Sequence, residues 1–146
     1  MENGELAPIR CEDIYPGMVI RVNNGEMIPC DGLIIYSPCE MVYCNTKNLD
    51  GESNLKKKIY LPELSKSVSI NSYEEVTLPA LIVNFEKPNT CMNKFLGSAS
   101  FQTKTHFLCE KHVCLRSSYL MNSKYIYILS LYTGKDTKIL LSMNKS

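Results

Sequence analysis

The chain has almost no net charge. Its 16 lysines and arginines face 15 aspartates and glutamates, leaving a formal charge of +1. Nucleic-acid binding calls for a basic patch or stripe, so no nucleic-acid partner is expected. There is also no long hydrophobic run. A membrane-crossing helix needs about 20 mostly apolar residues, and the longest apolar stretch, residues 125–132, is far shorter and contains Ser130. The first eight residues are polar and lack the pattern of a signal peptide. No glycine-rich phosphate loop of the Walker kind occurs, so tight nucleotide binding is not expected. No Cys-x-x-Cys pair occurs either. The seven cysteines (Cys11, Cys30, Cys39, Cys44, Cys91, Cys109 and Cys114) are odd in number, whereas a secreted disulfide framework uses an even set. Reduced thiols in a cytosolic compartment are the simpler reading.

What is present suits one domain of 146 residues with a self-sufficient core. β signals dominate. Residues 18–22 read as a strand between the turn Pro16-Gly17 and the turn 23–26, whose Asn24-Gly25 pair tolerates positive φ. Further strands are expected at 32–37, 40–44, 55–61, 78–85, 111–115 and, most strongly, the tyrosine- and isoleucine-rich 125–132. Residues 62–71 read as a short helix or loop. Gly97, inside the small-residue stretch 95–101, suggests a bulge or a close backbone approach. Thr133-Gly134 ends the last strand, and Asp136 is placed to cap a helix over 137–143. Many short strands without long amphipathic helices predict a mainly β fold, a distorted jelly roll or double-stranded β-helix with short peripheral helices.

Chemistry concentrates in Thr46-Lys47-Asn48-Leu49-Asp50-Gly51-Glu52-Ser53-Asn54-Leu55-Lys56. Gly51 allows a sharp turn, and Asp50 and Asn48 can bond nearby amides. Glu52 just after the turn would stand at a loop tip, where a general base can come within about 3 Å of a water. A solvated hairpin tip is the alternative.

These eleven residues resemble the T-x-N-L-D-G-E-T-N-L-K signature of the phospholipid flippases, the type IV P-type ATPases, with Ser53 in place of threonine. Cation-transporting relatives carry T-G-E-S in the same loop. Residues 16–22 and 28–34 are similar to that family's V-G-D-I-V-x-V and I-P-A-D-L-L-L segments, with Cys30 replacing alanine. Residues 113–118 resemble C-x-L-R-N-T, and residues 132–138 resemble Y-T-G-H-D-T-K with Lys135 replacing histidine. The likeness runs from about Asp13 to Ser146 and is poor over 62–71.

The resemblance implies an actuator domain, residues 13–146, excised from between the second and third membrane helices of a larger pump, with residues 1–12 a lead-in or vector-derived. It implies that Glu52 orients and deprotonates the water that hydrolyses an aspartyl phosphate, while Asp50, Gly51 and Ser53 shape the loop. The phosphorylated D-K-T-G motif is absent, so the isolated chain is expected to be inactive. No cofactor is expected in this domain, ATP and Mg2+ being used by the parent protein. The implied partners are the phosphorylation and nucleotide-binding domains of the same pump, membrane phospholipid through the parent, and an accessory transmembrane subunit. The implied location is the cytoplasmic side of an integral membrane protein. Two alternatives remain: a flippase-like regulatory half of a fused signalling enzyme such as a cyclase, and a non-catalytic β-sandwich binding module.

Arg116 and Lys56 are candidate interdomain contacts. For Arg116 a salt bridge within the domain is equally open. Lys56-Lys57-Lys58 reads as a solvated strand edge that blocks edge pairing. Lys135, Lys138 and Lys145 would lie near the membrane face or on a solvated helix face. His106, Cys109, His112 and Cys114 are all zinc-ligand types, but their spacing fits no standard pattern, so no metal is expected.

Overall fold

The strongest strand signal sits at the centre of the fold. The computed structural model describes residues 9–143, and within it residues 125–132 form β12 (Tyr125–Tyr132). This strand lies between β1 (Val19–Asn23) and β2 (Asp31–Tyr36), and β10 (Val113–Cys114) extends the sheet beyond β2. A second sheet has the order β11-β3-β4, formed by Tyr119–Met121, Val42–Asn45 and Lys56–Lys58. A third is built from β7 (Ile82–Phe85), β8 (Gly97–Phe101) and β9 (Lys104–Leu108). A ribbon of β5 (Ser69–Ile70) and β6 (Val76–Thr77) completes the set, and every pairing is antiparallel.

The central sheet separates two cores. Successive side chains of a strand point to opposite faces. Ile126 and Ile128 therefore join Ile20, Val22 and Ile34 against Val42, Cys44 and Leu120 of the second sheet. Tyr127 and Leu131 join Leu33 and Ile35 on the other face, against Ala99, Phe101 and Leu108 of the third sheet. Leu61 and Leu64, at the start of α2 (Pro62–Ser67), close that second core. Cover on both faces is why β2 after Asp31 reads as an unbroken apolar run, whereas the half-covered β1 alternates.

The mainly β expectation holds, but several elements differ from the sequence reading. Residues 55–61 yield only the three-residue β4. Residues 111–115 begin with a 3-10 turn, Glu110–His112, because the His112 ring folds back onto the Cys109 amide. The strand expected at 78–85 is confined to β7. The helix α3 (Lys138–Met143) follows a 3-10 turn, Gly134–Asp136. Asp136 lies inside that turn and does not cap the helix. The short strands β5, β6, β9 and β11 and the helical turn α1 (Lys47–Asp50) were not anticipated.

Gly97 is a close-approach glycine. A Cβ there would stand 2.8 Å from the Asn84 carbonyl oxygen and 3.0 Å from the Phe95 ring. The carbonyl belongs to the paired strand β7, so it cannot rotate away. Gly97→Ala should lower the unfolding free energy by about 1–3 kcal/mol, read from urea denaturation. An unchanged midpoint would show that the third sheet yields.

Candidate functional site

The strand β3 carries the chain directly into the signature loop. Asn45 Oδ1 accepts from the Lys47 N–H at 3.0 Å, and the single turn of α1 follows. Thr46 is buried, and its hydroxyl donates to both carboxylate oxygens of Asp50 at 3.1 Å. Gly51 ends the turn with φ +74°, and its N–H donates to the Lys47 carbonyl at 2.9 Å. A residue with a Cβ would be strained in that left-handed conformation. Asp50 Oδ1 then accepts from the Glu52 N–H at 2.9 Å. The Glu52 backbone is thus held from the buried Thr46 through Asp50, while its side chain stays 55% exposed. Ser53 is exposed, and no hydrogen bond of its side chain is found among the described residues.

The Glu52 carboxylate is met by Lys56, whose ammonium also lies 3.9 Å from Asp50 Oδ2. The hydrogen bond to Glu52 raises the Lys56 ammonium above its ordinary pKa. Exposed pairs of this kind are screened and weak, so Glu52 can exchange Lys56 for a water or an approaching group. The loop borders a groove of about 620 Å³, whose other walls include Lys57, Lys58, Met92, Asn93, Glu110 and Lys111. β4 is the edge strand of its sheet, as the lysine run suggested, yet Lys58 turns inward and its ammonium donates to the Glu110 carbonyl at 3.1 Å.

Arg116 is half-buried. Its guanidinium reaches the Gly134 carbonyl at 3.5 Å, and no salt bridge to a carboxylate is found for it among the described residues. Its N–H donates to Asp31 Oδ1 at 2.9 Å, while Asp31 Oδ2 accepts from the Lys138 N–H at 2.8 Å. Asp31 is fully buried. Burial raises its pKa to about 6, against the opposing pull of those two amides. The sequence reading gave Asp31 no role. The available signal was a carboxylate opening an apolar strand, which has to find donors inside the fold.

Lys138 is also buried, which overturns its placement on a solvated or membrane-facing surface. Its amide is fixed by Asp31, and its ammonium turns inward, donating to Asn89 Oδ1 at 2.7 Å near the Tyr132 ring. Lys135 is exposed. Lys145 lies outside the described residues.

The four zinc-type residues do not converge. His106 stacks on Phe101 with ring centroids 4.9 Å apart. His112 accepts the Cys109 N–H at Nδ1, and burial lowers its pKa. The Cys114 sulfur touches that of Cys44 instead. Among the described residues no group of three or more His, Cys, Asp or Glu side chains is placed to hold a metal ion.

With this loop geometry in view, comparison with known families decides the classification. A family model described as the P-type ATPase actuator domain matches residues 1–139. The chain belongs to that family. Relatives of this actuator domain include mouse "Phospholipid-transporting ATPase FetA", 30% identical over 99% of the chain and 12% of the relative. "Probable phospholipid-transporting ATPase 11" of Arabidopsis thaliana is 35% identical over 88% of the chain and 11% of the relative. "Guanylate cyclase alpha" of Plasmodium falciparum is 33% identical over 99% of the chain, but only 3% of that relative is covered. The chain thus spans about an eighth or less of the curated relatives it matches. Family membership removes the basis of the binding-module alternative, which needed the motif series to be coincidental. Among the described residues, no helix is long and apolar enough to cross a membrane.

Proposed function

We propose that this actuator domain, over residues 13–146, serves an ATP-driven phospholipid-transporting pump. In this reading Glu52 activates the water that hydrolyses the aspartyl phosphate of a neighbouring domain. The observation that carries it is the loop itself: a glutamate held by its backbone, its exposed carboxylate paired with the exchangeable Lys56, on the rim of a lysine-bearing groove. The water oxygen attacks phosphorus, Glu52 accepts the water's proton, and the aspartyl oxygen leaves. Asp50 and Gly51 position the Glu52 amide. Lys56 balances the carboxylate until the phosphate arrives, and the lysine-lined rim suits an anionic partner surface. Arg116 serves chiefly to anchor its own segment and leaves its remaining donors for an interdomain contact.

ATP and Mg2+ are assigned to other domains of the parent. The residues here fit neither, lacking a phosphate loop in the sequence and a cluster of three metal-binding side chains among the described residues. The partners are then the phosphorylation and nucleotide-binding domains, membrane phospholipid through the parent, and an accessory transmembrane subunit, with the domain on the cytoplasmic side.

The cyclase relative supports a second reading, a flippase-like half regulating a fused enzyme. Proteoliposomes containing the full-length parent distinguish the two. ATP-driven movement of a fluorescent phospholipid between leaflets is the expected result. Absence of transport, alongside a second enzymatic domain that responds to Glu52→Gln, would replace the pump reading with the regulatory one.

A further inference from the structure

We propose that Cys44 and Cys114 form an oxidisable dithiol that closes into a disulfide between the two sheets flanking the first core. The site goes beyond the phosphate-hydrolysis reading and does not depend on it.

Cys44 lies on β3 in the second sheet and Cys114 on β10 in the central sheet, 70 positions apart in sequence. Both thiols are fully buried in the same core, and their sulfurs are 3.7 Å apart. A disulfide needs sulfurs about 2 Å apart, so closure requires a movement smaller than about 2 Å. No cysteine among the described residues is in a disulfide.

The two thiols are not equivalent. The contact with Cys114, together with the nearby Lys58 ammonium and Ser118 hydroxyl, lowers the Cys44 pKa despite its burial. Cys114 is raised by the same contact and by burial. Cys44 is also the sulfur nearer the surface, on the strand paired with the edge strand β4 and beside the groove-lining Lys58, whereas Cys114 is paired with Gly32 in the central sheet. We assign Cys44 as the attacking sulfur and Cys114 as the resolving one.

Neither thiol opens onto the surface, and the nearest approach is from the groove beside the loop. Lys58 and Ser118 line it as well as neighbouring Cys44. Cys44 is paired across the ladder with Lys56 of β4, a three-residue edge strand. Short edge strands open locally at low cost, and opening of β4 is the route by which an oxidant would reach Cys44.

The oxidant is a peroxide. Cys44 first releases its proton to solvent. Its thiolate then attacks one oxygen of hydrogen peroxide, an S–O bond forms, the O–O bond breaks, and the departing hydroxide takes up that proton as water. The resulting sulfenic acid is attacked by Cys114. An S–S bond forms, the S–O bond breaks, and the second hydroxide leaves as water with the Cys114 proton. Two thiols are oxidised, and one peroxide is reduced to two waters.

The bond would tie the two supports of the signature loop. β3 leads directly into Thr46 and α1, and two residues beyond β10 the Arg116–Ser117 segment presents the Ser117 carbonyl to Asn48 Nδ2 at 3.5 Å.

The test uses the folded chain carrying Cys91→Ser, which removes the exposed thiol and intermolecular pairing through it. The protein is treated with hydrogen peroxide, alkylated with N-ethylmaleimide and digested without reduction. The expected product is a Cys44–Cys114 cross-linked peptide two hydrogens lighter than its parts and reversed by dithiothreitol. Cys114→Ser should leave Cys44 trapped as a dimedone adduct. Amide exchange over residues 49–52 should slow by about tenfold in the oxidised protein. Both thiols alkylating fully after denaturation would overturn the proposal, as would Cys44 sulfinic acid without a cross-link. The cross-link is read in chains with both thiols intact, so misfolding of the serine variant would not mask the result.

Discussion

Glu52→Gln in the full-length parent should leave formation of the phosphoenzyme intact and slow its hydrolysis by roughly 10²–10⁴-fold, the usual contribution of a positioned base. Glutamine keeps the length and shape of the side chain but cannot take a proton from water. The substitution should not disturb the fold. Glu52 is exposed, its backbone is held by Asp50, and the one side-chain partner found for it among the described residues, Lys56, is itself partly exposed. A loss of phosphoenzyme turnover with unchanged thermal stability of the isolated domain therefore separates chemistry from structure. Phosphoenzyme that decays at the normal rate would end the assignment of Glu52 as the base. Asp50→Ala serves as a graded companion. It releases the Glu52 amide but leaves the carboxylate, so hydrolysis should slow less than in Glu52→Gln.

The second large effect is expected at Asp31. Asp31→Ala strips the acceptor from two amides at once, those of Arg116 and Lys138. Each stranded donor costs about 1–3 kcal/mol, so the domain should lose about 3 kcal/mol or more of unfolding free energy. Asp31→Asn should lose less, because it keeps one acceptor and sheds the cost of burying a charge. The pH dependence provides an independent check. The Asp31 pKa is raised from 3.8 to about 6 by burial. A raised acid contributes stability that is fully present below pH 3.8 and is lost as pH rises through 6. Two units correspond to about 3 kcal/mol. Stability of the wild-type chain should carry this downward contribution between pH 4 and 6, and the slope should flatten in Asp31→Asn. An Asn variant with an unchanged pH profile would show that Asp31 does not titrate in this window.

How much of this was legible in the sequence depends on the kind of residue. The central strand was readable because Tyr125–Tyr132 is long, β-branched and aromatic and is followed by Gly134, and β1 because Gly17 and Gly25 mark the turns on either side of it, all three glycines at positive φ. The signature loop was readable as a set of residue types in order. Its geometry was not, because α1 is a single turn of four residues held by the buried Thr46, which no local propensity encodes. The short strands β9 and β11 were missed for a related reason. Lys104–Leu108 exists as the partner of β8, and Tyr119–Met121 as the partner of β3. Pairing with a distant segment decides such strands, and a linear pattern does not show it. Lys138 was misplaced because a lysine at a helix start reads as solvated. Its inward course follows from the amide bond to Asp31, more than a hundred positions away in the chain.

The covering of β2 on both faces has a mechanical consequence. A strand clamped between two cores cannot bend to suit a docking partner, so the central sheet acts as a stiff beam. At one end of the beam the Asp31 carboxylate grips the first residue of α3, and through Arg116 and Ser117 the same end touches Asn48 of the signature loop. A force applied to α3 would then reach the loop through a short series of hydrogen bonds, from Lys138 to Asp31, from Asp31 to Arg116, and from Ser117 to Asn48. Glu52 would travel as the tip of a lever, and its reach would be set by the angle through which the whole domain turns.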